Sequence, residues 1–151
     1  MTYYPVILVD SSVMIAFYNS ADRYHVQVLD FFTSCTSELI TTVGCITEVM
    51  YFLAPNSRVQ NVFLSHLATE VYKCEHLSVE DFARIAELNS QYASLPGDFA
   101  DLSLVAVSER LNISAMAQSA RHRRSLLLIK TSTFIVANHL SACFYRSKLL
   151  C

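Results

Sequence analysis

An unbroken apolar run, Val6-Ile7-Leu8-Val9, opens the chain and stops abruptly on Asp10, which two serines follow. Four apolar residues in a row, without alternation, predict a strand buried on both faces. Further strands are expected at 38–42 (ELITT), 70–74 (EVYKC) and 113–117 (ISAMA). Between them the apolar spacing becomes helical, as in Val28, Leu29 and Phe32, and predicts helices over 12–19, 24–34, 45–54 and 58–68. Pro55 divides the last two, because proline cannot continue a helix. Ser78 begins another helix with capping-box spacing to Asp81, and places Phe82, Ile85, Ala86 and Leu88 toward one side. A final helix over 99–111 is announced by the Pro96-Gly97 turn and Asp98 as N-cap, and is stopped by Asn112. Regular strand–helix alternation predicts an α/β domain with a parallel sheet covered on both faces.

Composition agrees with such a core. The 151 residues are 53% hydrophobic and only 16% charged, against about 25% charged in an average domain. The net charge of −2 conceals a split. All thirteen acids lie in residues 1–109 with four Lys/Arg, whereas seven Lys/Arg and no acid follow from Arg110 onward. Five cysteines without C-x-x-C spacing argue against a disulfide framework or zinc ribbon and fit a reducing, cytoplasmic setting. No secretory signal is visible. Residues 125–145 are apolar, but Lys130 within them would cost about 2.5–3.5 kcal/mol at mid-membrane, so no membrane association is expected.

The first strand drives into a carboxylate, which is costly at the edge of a core unless something pairs with it. In an open α/β sheet, ligands bind beyond the carboxyl ends of the strands, where Asp10 is expected. Glu48, early in the helix after the second strand, leans back toward the same edge. Asp98 and Asp101 share the first turn of the last helix, whose N-terminus favours negative charge. Four acids from three distant stretches are thus aimed at one place. Like charges held together repel, and a hard divalent cation resolves the conflict: Mg²⁺ or Mn²⁺ takes carboxylates and waters. Taken singly, Asp98 and Asp101 also suit helix capping, and Glu48 suits a solvated helix face.

Three stretches carry a family resemblance: "VILVDSSVMIAF", "TTVGCITEVMYFL" and "LPGDFADLSLVAVSERLNI". In this order and spacing the chain resembles the PIN domain family, and within it the VapC-like toxin ribonucleases, over roughly residues 5–117. The resemblance implies a three-layer α/β/α sandwich with a central parallel sheet, and a Mg²⁺- or Mn²⁺-dependent endoribonuclease. It implies Asp10 and Asp101 as metal ligands, with Asp98 as acidic neighbour and Glu48 as the acid that orients the attacking water. Ser11, Ser12 and Ser103 would add supporting hydrogen bonds. Its expected partners are an RNA substrate, a small antitoxin protein that masks the cleft, and a second copy through the apolar helices at 45–68. Family members usually carry another Asp just after the fourth strand; Gln118, Ser119 and Ala120 stand there instead. The alternative function is therefore a catalytically impaired PIN-fold module that binds RNA or a partner.

The expected division is a PIN-like domain over 1–117 and an atypical basic and apolar tail over 118–151. Three readings of the tail stand together. It is an RNA-contacting arm, with Arg121, Arg123 and Arg124 joining Arg58 and Arg110 on the phosphates; a docking segment for a partner; or translation out of frame beyond about residue 117, which accounts for both the charge inversion and the missing acid. A phospho-accepting receiver domain fits poorly, since only Glu75 lies near the end of the third strand. Neither G-x-S-x-G nor a glycine-rich phosphate loop occurs.

Overall fold

The computed structural model describes residues 4–91, 98–119 and 126–130. Strands β1 (Val6–Val9), β2 (Glu38–Thr42), β3 (Lys73–Glu75), β4 (Ala115–Ser119) and β5 (Leu126–Lys130) form one sheet in the order β3-β2-β1-β4-β5. The first four run parallel, and β5 pairs antiparallel with β4. β1 lies at the centre, with Leu8 and Val9 fully buried. Its unbroken apolar run is explained by that place.

Helices α1 (Ser11–Tyr18), α2 (His25–Ser34), α3 (Val43–Phe52) and α4 (Ser57–Ala68) connect β1 to β2 to β3, and α5 (Val79–Gln91) and α6 (Phe99–Leu111) connect β3 back to β4. The chain steps one way along the sheet and then returns, so right-handed crossovers put α1–α4 on one face and α5–α6 on the other. This is the expected α/β/α sandwich. An aromatic cluster of Phe17, Tyr18, Phe32, Phe63 and Tyr72 packs edge to face under the first layer. In α6 every residue from Leu102 to Ser108 is buried, as suits a helix pressed between the sheet and α5. Among the described residues no helix is long and apolar enough to cross a membrane.

The capping signals act as read. The Ser78 amide donates to Asp81 Oδ2 at 2.9 Å while the Asp81 amide donates to Ser78 Oγ at 3.2 Å. Two strands begin later than their apolar runs suggest, and helix ends are the cause. Glu70 takes a left-handed φ of 57° and the Val71 amide bonds back to the His66 carbonyl at 2.8 Å, so residues 69–71 finish α4 instead of starting β3. Asn112, with φ 52° and ψ 41°, ends α6, and the Ile113 amide reaches the Ser108 carbonyl at 2.9 Å. Ile113 is the buried apolar residue that follows such a left-handed cap, and β4 starts two residues beyond it. The sheet also runs past the boundary expected near 117, since β4 ends at Ser119 and β5 comes from the basic tail.

Asp81 is only 3% exposed, and besides its capping role it receives the Arg110 Nε at 2.9 and 3.1 Å. Removing it leaves Arg110 and the cap amide without that partner. Asp81→Ala is expected to lower stability by about 3 kcal/mol, measured by urea denaturation, whereas a change under about 1 kcal/mol would show the pair behaving as an ordinary surface bridge.

Candidate active site at the carboxyl edge of the sheet

Asp10 leaves β1 only 5% exposed and becomes the N-cap of α1. Its carboxylate accepts the Ser12 hydroxyl at 2.5 Å and the Ser12 amide at 3.3 Å. Strand β4 closes the other side: the Asp10 amide donates to the Ala117 carbonyl at 3.1 Å, and the Ser119 amide donates to Ser12 Oγ at 3.1 Å. Ser11, also buried, donates its hydroxyl to Glu48 Oε2 in a short hydrogen bond and lies 3.5 Å from Asp10 Oδ1. One serine thus links the acid at the strand end to the half-buried acid in the middle of α3.

Helix α6 brings the remaining acids. Asp98 caps it, accepting the Asp101 amide at 2.9 Å, so the two carboxylates share its first turn. Two contacts seat this turn. The buried Thr42 and Ser103 hydroxyls share a hydrogen bond at 2.6 Å, and Ser103 also lies 2.7 Å from the Ala100 carbonyl. At Gly44, a Cβ would come within 3.1 Å of the Ala100 Cα and 3.3 Å of the Phe99 ring. Glycine lets α3 and α6 approach there, and with them Glu48 and the Asp98–Asp101 turn. Neither Thr42 nor Gly44 figured among the sequence candidates. A glycine within a helix, in a chain holding only two glycines, was the available signal.

Burial is the main cause that lifts the Asp10 carboxyl above the usual aspartate range; the Ser12 hydroxyl and the Ser12 and Ser11 amides pull it down, and the Asp98 charge pushes it further up. Burial also raises the neighbouring Cys45 thiol, helped by the Asp10 charge.

The PIN domain family model matches residues 7–124, which includes all four acids and, but for Val6, the strands β1 to β4. The chain belongs to the PIN domain family. The fold of this PIN domain is similar to that in the crystal structure of VapC20 from Mycobacterium tuberculosis, a sarcin-ricin loop cleaving toxin. The TM-score is 0.70 at 19% identity, over 77% of this chain and 91% of that one. No curated protein sequence matches the chain.

In this PIN domain the position expected to hold a further acid is neutral: Gln118 is half-buried, and Ser119 supports Ser12 through its amide. Among the described residues, no three His, Cys, Asp or Glu side chains are gathered as a ready-made metal cage. The donor chemistry nonetheless fits a hard divalent cation, which takes only one or two carboxylates directly and completes its shell with water. Arg110, a candidate for phosphate contact, is committed elsewhere, to Asp81, Glu75 and the His76 carbonyl. Arg58 is exposed in the first turn of α4 and makes no ion pair among the described residues. Arg121, Arg123 and Arg124 lie outside the described residues.

A carboxyl whose folded pKa exceeds its unfolded value costs stability that grows as pH rises from the unfolded pKa toward the folded one, and that is absent below both. Asp10→Asn removes it while keeping a good N-cap. Without metal, the variant is expected to melt higher than the native chain at pH 7, by about 2–4 °C per kcal/mol relieved, with the difference vanishing as pH falls below the aspartate range. Calorimetric melting across pH checks this; a lower melting point at pH 7 contradicts it.

Proposed function

We propose that this PIN domain is a Mg²⁺- or Mn²⁺-dependent endoribonuclease, the cytoplasmic toxin of a toxin–antitoxin pair. The observation that carries the reading is Asp10: a buried carboxylate at the strand edge, loaded by the Asp98 charge and joined to Glu48 through Ser11. The family supports a nuclease, and the likeness to a toxin fold supports this setting.

Asp10 and Asp101 are the residues that would hold the ion, with waters completing its coordination. When bound, such an ion polarises a phosphate oxygen and lowers the pKa of a coordinated water. Glu48, held by the Ser11 hydroxyl, would orient a water and accept its proton. Ser12 holds the Asp10 carboxylate in one rotamer. Asp98 fixes the first turn of α6 and adds negative charge that strengthens cation binding. The proposed partners are RNA and a masking antitoxin, with exposed Tyr51, Phe52, Val62 and Leu64 on α3 and α4 available to a second copy.

The neutral Gln118 and Ser119 at the end of β4, where the family pattern expects an acid, favour a second reading, a PIN-fold module impaired in catalysis that still binds RNA or a partner. Cleavage of a mixed RNA pool in Mn²⁺, with and without EDTA, separates the two. The enzyme reading expects EDTA-sensitive cleavage, lost by about 100-fold or more in Asp10→Asn and in Asp101→Asn, with the fold retained. Undiminished cleavage by both variants removes the mechanism. Absence of cleavage together with negligible Mn²⁺ binding by calorimetry leaves the binding module.

A further inference from the structure

Two large apolar side chains at the start of α5 and α6 remain in solvent. Phe82 is 53% exposed and Phe99 47%, yet their rings lie nearly parallel, with a 15° interplanar angle and centroids 6.4 Å apart. Packing alone would bury these rings; instead they form a half-exposed ledge of near-parallel, stacked aromatics. Its position sets it apart from the other exposed apolar residues. Phe99 directly follows Asp98, whose charge acts on Asp10, and its ring packs over Gly44, where α3 begins. Val43, beside that glycine, is 53% exposed and extends the apolar surface. The ledge is thus continuous with the acidic edge.

We propose that Phe82 and Phe99 form a stacking platform for an unpaired nucleobase of the RNA strand whose backbone lies at the acidic edge; the proposal rests on the RNA-cleaving reading above. The acids can handle phosphate only through a cation and offer no grip on the rest of a nucleotide. A parallel aromatic pair supplies what they lack, because every base has a π-face and stacking tolerates sequence. The platform selects for single-stranded RNA, since a base inside a duplex has both faces occupied by its neighbours. Phe99, one residue from Asp98, ties the stacked base to a fixed distance from the phosphate that is cut.

The test uses the full chain, with Ca²⁺ in place of Mn²⁺ for binding, and two labelled probes of equal length: single-stranded oligoadenylate and the same ribose-phosphate chain without bases. Fluorescence anisotropy is expected to show oligoadenylate bound about ten-fold or more tighter. Phe99→Leu, which keeps apolar bulk but loses the π-face, and Phe82→Ala should each erase most of that preference, and Phe99→Trp should restore it. Melting curves confirm that each variant folds. Equal affinity for both probes, or a Phe99→Leu variant that keeps the full preference, overturns the platform. Mn²⁺-dependent cleavage is measured in parallel with the native chain. Cleavage by a chain that binds both probes alike overturns the platform and leaves the nuclease reading standing; base-dependent binding that needs the two rings, without cleavage, supports the platform and ends the nuclease reading.

Discussion

The rest of the structure depends on a single constraint: a carboxylate must be kept inside the rim of the core, at the junction of the central strand and the first helix. A charge so placed is disfavoured by lost hydration, and Asp10 shows this in the upward displacement of its pKa. The compensation is local. The extended backbone of Asp10 lets it cap α1, so the Ser12 amide and hydroxyl converge on its oxygens, and the helix N-terminus adds favourable partial charge. The same geometry that makes the residue tolerable also fixes its direction. Strand β4 completes the arrangement, with its Ala117 carbonyl and Ser119 amide holding both sides of the turn.

Helix α6 is the second half of the site, and it is pinned at both ends by different physics. At its start, close packing on Gly44 and the buried Thr42–Ser103 hydrogen bond fix its height above β2 and α3. At its end, Arg110 bridges to Asp81 and Glu75, while Glu109 receives Arg84 at 2.7 Å. Most of these bridges are half-exposed and individually weak, but Asp81 is buried and belongs to the cap of α5. The C-terminal turn of α6 is therefore locked to the N-terminal turn of α5. Arg110, a candidate for phosphate contact in the sequence, bridges to Glu75 and Asp81 and so positions the helix that carries Asp98 and Asp101.

What the sequence made legible was local. The β1 run, the Ser78–Asp81 box, the Asp98 cap and the Asn112 stop each depend on residues within four positions of one another, and each is present. Ser11 and Ser12 were expected as supports for the acids only through the family resemblance, and both bond to them. What was hidden came from contacts between distant segments. Thr42 meets Ser103 across 61 positions, and no spacing rule links them. Gly44 lay outside the expected helix over 45–54, and its part shows only in the backbone of α6 packed against it. The start of β3 was obscured because Glu70, a residue without special turn character, occupies the left-handed position usually left to glycine.

The position after β4 deserves a physical account of its own. Where the family pattern expects another acid, Gln118 and Ser119 continue the strand, and five residue pairs with β5 hold that segment in the sheet. A neutral strand end changes the charge arithmetic of the crevice. It leaves Asp10, whose carboxyl already sits high, with one repulsive partner fewer. On the proposed metal-dependent reading, the remaining acids would hold a single ion, against less repulsion but also with less attraction. Support for Asp10 on this side passes instead through a backbone amide, Ser119 to Ser12, which any residue other than proline can supply. The hydrogen-bond frame around Asp10 therefore does not need the acid, and what a neutral residue alters there is the charge that the proposed reading would use to hold metal.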